Sequence, residues 1–141
     1  MRILGLDVGS QTIGIAVSDP LGWTAQGLKT WRRSDLLEDF EEMKRLVQQY
    51  AVERLVVGLP RNMNGSLGPA AVEVQKFAEQ LSQELGLEVV LWDERLSTVA
   101  SERILLEGNV SRRKRKKVID KMAAVLILQG YLDWLTKSSK G

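Results

Sequence analysis

The sequence predicts an α/β fold: a mixed five-stranded sheet with helices on both faces. Three observations lead there. Two short apolar runs, residues 2–8 and 13–18, flank Gly9-Ser10-Gln11-Thr12, the pattern of a β-hairpin. Further apolar runs then alternate with helix-period segments, as α/β crossovers require. One of those runs, Arg54–Leu59, is apolar without alternation, as in a strand covered on both faces.

Taken in order, the second run closes at Asp19-Pro20, and residues 23–31 alternate loosely as a third strand. Ser34 opens a helix whose apolar residues Leu36, Phe40, Met43, Val47 and Tyr50 are spaced by 4, 3, 4 and 3. Its acids Asp35, Glu38, Asp39, Glu41 and Glu42 precede Lys44 and Arg45, an order that suits the helix dipole. The apolar strand follows, then a turn-rich loop over 60–68. Pro69 stands where proline prefers to start a helix, and Gly86 is its expected C-cap. That helix buries Val74, Phe77, Ala78, Leu81 and Leu85. Residues 88–92 form the fifth strand. Ser97 or Thr98 caps a helix through Leu106 that stops at Gly108-Asn109. A last helix, 118–136, is apolar on most sides and is expected to be largely buried. Residues 1–136 read as one domain and 137–141 as a frayed tail.

Composition removes whole classes of chemistry. The 141 residues contain no cysteine and no histidine. Disulfides, thiolate zinc sites, a Cys nucleophile and a Ser-His-Asp triad are excluded. Acid, base or metal work falls to carboxylates, lysines, hydroxyls and water. The net charge of +2 conceals an asymmetry: Arg112-Arg113-Lys114-Arg115-Lys116-Lys117 holds six positive charges, so the rest of the chain carries −4. The run is too dense for one helix face and is expected to be a mobile segment that binds phosphate backbones; a solvated loop is the plainer reading. No export signal or membrane-length apolar stretch is read, so a cytoplasmic location is expected.

Three carboxylates stand out. Asp7 lies within the apolar run Ile3-Leu4-Gly5-Leu6-Asp7-Val8, where a charge is costly unless paired, metal-bound or capping the next turn. Glu94 ends the fifth strand, at the carboxyl end where α/β sheets bind ligands, although a surface ion pair with Arg95 also accounts for it. Asp120 falls in the first turn of the last helix, where the dipole alone favours an acid. Two unit charges ~4 Å apart at an effective dielectric constant of ~20 repel by about 4 kcal/mol. If the fold gathers these three, divalent Mg²⁺ or Mn²⁺ with oxygen ligands resolves the repulsion. Two such ions are the apparatus of in-line phosphodiester cleavage. The loop Pro60-Arg61-Asn62-Met63-Asn64-Gly65-Ser66 offers amides, Asn62 and Asn64 among them, for a phosphate near a helix start; an ordinary turn is the alternative. Lys121 is a candidate contact to the scissile phosphate, and Arg95 and Ser10 are candidates for positioning the substrate.

Four motifs in order resemble the YqgF (RuvX) family of ribonuclease H-like nucleases, relatives of RuvC-type Holliday junction resolvases. They are Leu6-Asp7-Val8-Gly9-Ser10, Gly58-Leu59-Pro60-Arg61-Asn62-Met63-Asn64-Gly65-Ser66, Trp92-Asp93-Glu94-Arg95-Leu96-Ser97-Thr98 and Arg113-Lys114-Arg115-Lys116-Lys117-Val118-Ile119-Asp120-Lys121-Met122-Ala123-Ala124. The resemblance implies a five-stranded ribonuclease H-like fold with metal-binding acids at Asp7, Glu94 and Asp120. It also implies maturation of the 5′ end of pre-16S ribosomal RNA. The expected protein is thus a metal-dependent endonuclease of structured RNA, a monomer or weak homodimer. A resolvase of branched DNA and a non-catalytic nucleic-acid-binding factor are the alternatives. A sugar-kinase or actin-like ATPase would need two such lobes, and the chain supplies one.

Overall fold

The computed structural model describes residues 1–96 and 112–140, apart from the side chains of 112–120, 139 and 140. The helix expected from Ser97 or Thr98 to Leu106, with its stop at Gly108-Asn109, lies outside the described residues. Strands β1 (Ile3–Val8), β2 (Thr12–Ser18), β3 (Ala25–Arg32), β4 (Arg54–Leu59) and β5 (Glu88–Asp93) form one sheet in the order β3-β2-β1-β4-β5. The β1–β2 and β2–β3 pairs are antiparallel, and β1–β4 and β4–β5 are parallel. The expected mixed sheet is present. Helices α1 (Leu36–Tyr50) and α2 (Pro69–Leu85) join the parallel strands; a 3₁₀ turn at Glu94–Leu96 follows β5, and α3 (Arg112–Lys140) is the last element.

Two cores lie on opposite faces of the sheet. Strand alternation assigns Leu4 and Leu6 to the face under α1 and α2, with Met43, Leu46, Val74, Phe77 and Leu81. Ile3, Ala16 and Val56 face α3 and pack on Ala123, Ala124, Ile127, Leu128, Tyr131 and Leu132. Helix α3 comes very close to the sheet because glycines lie beneath it. A Cβ at Gly5 would stand 2.7 Å from Leu128 Cβ and 3.3 Å from the Ala124 carbonyl oxygen.

Helix ends follow the chemistry read from the chain. Pro69 occupies the first turn of α2, and Gly86 closes it at φ +67°. Asp35, one residue later than the expected Ser34, caps α1 by accepting from the Glu38 N–H at 2.8 Å. The buried face of α1 is a correction to the apolar stripe. Asp39 and Glu42 are buried beside Met43 and Leu46, while Leu36 is exposed. Strand β3, the residues that follow it and Arg45 of α1 supply what those acids need. Asp39 accepts from Trp31 Nε1, Arg33 Nε and the Ser34 N–H at 2.9, 2.9 and 3.2 Å. Glu42 pairs with Lys29 and with Arg45 Nε, the latter at 2.6 Å. Polar groups can be buried when partnered, so these pairs decide which way the helix is turned.

The last helix also departs from expectation. It begins at Arg112 rather than at 118 and runs to Lys140, so residues 112–117 form its opening turns rather than a loop ahead of it. Lysine and arginine are good helix formers, and no proline or glycine interrupts the chain between Val110 and Gln129. Like-charge neighbours cost only a few tenths of a kcal/mol per pair. Nor is α3 buried all round: Met122 and Trp134 are exposed.

Candidate active site at the strand ends

Asp7 sits near the carboxyl end of β1, opposite Gly14 of β2, with 9% of its surface exposed. Alternation puts it on the same face as Ile3 and Gly5, beneath α3. On the other side, β1 and β4 run in register through Leu6 and Val57, which makes Gly58 the next neighbour of Asp7. Strands in a sheet are about 4.8 Å apart.

Glu94 reaches that place from the far side of β4. Strand β5 ends at Asp93, paired with Leu59, and the chain turns immediately. The Glu94 side chain lies back across β4, so that its Oε1 is 2.9 Å from where a Cβ on Gly58 would stand. Ile127 Cδ1 of α3 is 2.4 Å from that point. The missing Cβ of Gly58 therefore leaves the room in which Glu94 approaches the neighbourhood of Asp7, with Ile127 as roof. A glycine within a strand often marks such a close approach, and this one was legible only as part of an apolar run.

Asp120 lies on α3 two turns before Ile127, about 10.5 Å along the helix axis, and one turn before Ala124, which covers Gly5. This places position 120 on the stripe of the helix that carries Ala124 and Ile127. Among the described residues no three Asp or Glu side chains form a metal-sized group; the Asp120 side chain lies outside them. Glu94 at Gly58 and Asp7 on the neighbouring strand are hard oxygen donors, a donor type that suits Mg²⁺ or Mn²⁺.

The other candidates are placed unevenly. Ser10 is exposed in the turn after Asp7, which closes through the Gly9 N–H to Thr12 O bond of 2.8 Å. Asn62 and Asn64 serve their own loop. Asn62 Nδ2 donates to Ser66 Oγ at 2.9 Å, and Asn64 Oδ1 accepts from the Ser66 N–H and Oγ at 3.0 and 2.6 Å. Lys121 packs through its stem. Its stem lies on Gly27 of β3, with Cε 2.5 Å from where a Cβ would stand. Strand β3 is two strands, roughly 9–10 Å, from β1. The Lys121 stem thus covers the sheet edge at β3. Arg95 grips Asp93, and the pair shifts both groups. The Arg95 side chain holds the Asp93 carboxyl below the usual carboxylate range, and Asp93 in turn pushes the guanidinium up. The basic run opens α3, on the helix that leads to position 120.

The RuvX profile, described as Holliday junction resolvase, matches residues 1–134. The chain belongs to the RuvX family. Its curated relatives are similar over almost their whole length. A candidate pre-16S rRNA nuclease from Moorella thermoacetica is 64% identical over 135 residues, covering 96% of both chains. One of the same name from Clostridium tetani is 57% identical over 133 residues, covering 94% of this chain and 96% of that one. Among solved structures, RuvC of T. thermophilus bound to a Holliday junction substrate superposes with a TM-score of 0.60 at 14% identity, covering 96% and 97% of the two chains. The fowlpox virus Holliday junction resolvase gives 0.53 at 15% identity, covering 96% and 99%. At those identities the likeness concerns the fold, and it agrees with the five-stranded ribonuclease H-like sheet expected from the motifs.

Sequence reading missed two features of this RuvX site. Gly58 carries the close approach of Glu94, and Arg61 stands at the lip, its Nε 4.0 Å from Asp93 Oδ2. The signal for Gly58 was its place in a strand; Arg61 was hidden among the turn residues of its loop.

Proposed function

We propose that this RuvX chain is a metal-dependent endonuclease of structured RNA that processes the 5′ end of pre-16S rRNA. The observation that carries the reading is that Glu94 Oε1 lies over Gly58, the strand neighbour of Asp7 at the carboxyl end of the sheet. The names of the relatives from Moorella thermoacetica and Clostridium tetani support the choice of RNA. Asp7, Glu94 and Asp120 would hold Mg²⁺ or Mn²⁺. When bound, a pair of such ions supplies Lewis-acid polarisation of the scissile phosphate and lowers the pKa of a water. Asp7, on a rigid central strand, fixes one side of the site. Glu94 closes the other side from the strand end. Ile127 and Ala124 keep water from the sheet side. Residues 112–117 hold the phosphate backbone on the approach to position 120, each neutralised phosphate steepening the salt dependence by roughly 0.7–0.9 in log–log slope. Location is cytoplasmic in this reading, and the chain works as a monomer or weak homodimer. No described helix is long and apolar enough to cross a membrane.

The family description favours one second reading, cleavage of four-way DNA. That activity needs a dimer making paired cuts. The deciding experiment is Mg²⁺- or Mn²⁺-dependent cleavage of a 16S precursor end beside a four-way junction, with the unaltered chain and Asp7→Asn. Cleavage of the precursor that Asp7→Asn abolishes, with folding and RNA binding kept, is expected. Full cleavage by pure Asp7→Asn refutes the mechanism; preference for the junction by a sedimenting dimer refutes the substrate.

A further inference from the structure

Two arginines meet one carboxylate beside Glu94, and they are held very differently. Arg95 is committed to the protein. Its backbone N–H donates to Asp93 Oδ1 at 2.9 Å, its Nε lies 3.1 Å from both carboxylate oxygens, and its Nη2 donates to Oδ2 at 2.8 Å. Its Nη1 donates to the Met63 carbonyl at 3.4 Å and packs 3.5 Å from where a Cβ of Gly65 would stand, at a φ of +86° that favours glycine. All three guanidinium nitrogens thus face protein oxygens. Among the described residues Arg61 makes one long bond, from Nη1 to the Gly65 carbonyl at 3.4 Å, and its Nε stays 4.0 Å from Asp93, beyond hydrogen-bond reach. Its fork has five N–H groups to give.

We propose that the two divide the work: Arg95 is a positioning residue for Glu94, and Arg61 is the loop's contact to a backbone phosphate of the substrate. The Asp93–Arg95 grip spans Glu94. With its two neighbours tied to each other and to the 60–68 loop, Glu94 is left directed onto Gly58, where its oxygen is found. Asp93 offsets one of the two guanidinium charges, so the Asp93–Arg95–Arg61 cluster carries one net positive charge, on the Arg61 side. A phosphodiester, singly negative and open to bidentate hydrogen bonding, is the matching ligand. The Arg95 role rests on the metal-nuclease reading above; the Arg61 role needs only that the chain binds nucleic acid.

The test separates the two roles by two measurements on the full chain. Mn²⁺ affinity is titrated by calorimetry without nucleic acid. Affinity for a fluorescein-labelled hairpin oligoribonucleotide is read by anisotropy in EDTA over a salt series. Removing a cation beside a metal site strengthens metal binding on Coulombic grounds, whereas loss of a positioning contact weakens it about 10–100-fold. Arg95→Ala is expected to weaken Mn²⁺ by that factor and leave RNA affinity in EDTA unchanged. Arg95→Lys keeps the charge but loses the fork, and is expected to follow Arg95→Ala. Arg61→Ala is expected to leave Mn²⁺ affinity unchanged or higher, and to lower the log–log salt slope by roughly 0.7–0.9. Thermal unfolding checks that each variant folds, and a variant that does not is replaced by Arg95→Gln or Arg61→Gln. Unchanged or tighter Mn²⁺ binding by the Arg95 variants overturns its role, as does an RNA-affinity loss confined to them. An unchanged salt slope overturns that of Arg61. Failure of the unaltered chain to bind Mn²⁺ overturns the metal reading together with the Arg95 role, and leaves Arg61 to be decided in EDTA.

Discussion

Gly58→Ala is the sharpest probe of the site, because one methyl group meets both its roof and its carboxylate. The new carbon would stand 2.4 Å from Ile127 Cδ1, 3.0 Å from Ile127 Cγ1 and 2.9 Å from Glu94 Oε1. Ordinary carbon contacts lie at about 3.5–4.0 Å, so the Ile127 tip must retreat by about 1 Å or more. Ile127 is fully buried and has little room. Overpacking of this kind costs about 1–3 kcal/mol, a fall in Tm of roughly 3–10 °C for a chain of this size. Glu94 is half-buried and escapes more cheaply, by swinging off the strand. The single variant should therefore lose both stability and Mn²⁺ affinity, the latter by roughly 10–100-fold as for other displaced site groups. Adding Ile127→Val removes the atom at 2.4 Å but nothing near Glu94. The double variant should recover most of the Tm and none of the Mn²⁺ affinity or cleavage. Thermal unfolding and calorimetry read the two losses separately. A single variant that binds Mn²⁺ as the unaltered chain does, or a double variant that regains affinity along with stability, would refute the claim that Gly58 makes room for Glu94.

Other glycines and the buried acids give further outcomes. Gly5→Ala should cost at or above the top of the same ~1–3 kcal/mol range, since Leu128 Cβ and the Ala124 carbonyl cannot rotate away, whereas Gly27→Ala should cost under ~1 kcal/mol because only the flexible Lys121 stem must move; equal melting temperatures would contradict this. Glu42 is held below the usual glutamate range, first by the hydrogen bond from Arg45 and then by Lys29. A depressed folded-state pKa contributes stability above the unfolded value of about 4.3 that is lost as pH falls through the lower folded one. Melting curves from pH 7 to 3 should show that loss, and Glu42→Gln should flatten it; an unchanged slope would count against the pair. Replacing Arg113, Arg115 and Lys117 by glutamine should lower the salt slope of RNA binding by roughly 2–3 if each meets a phosphate, which a salt series of binding isotherms tests directly.

Local signals carried much of this protein. Strands, turns and caps depend on neighbours in sequence: Pro69 and Gly86 bound α2, and the apolar run of β4 announces a strand covered twice. The absence of Cys and His confined any chemistry to carboxylates and water, and a charge inside β1 marked Asp7 before any fold was known. What depends on distant partners was not legible. Helix α1 turns Asp39 and Glu42 inward because Trp31 and Lys29 on β3, and Arg33 just after it, await them, a pairing no helical period contains. Lys121 follows Asp120 in sequence yet lies over β3, because successive helix residues are turned about 100° apart. Only the parallel register of β1 and β4 sets Gly58 beside Asp7, and only the turn after β5 carries Glu94 back onto it. Residue types settle which chemistry is open to a chain. Hydrogen-bond register and close packing settle which side chains meet, because both are set by strands and helices far apart in sequence.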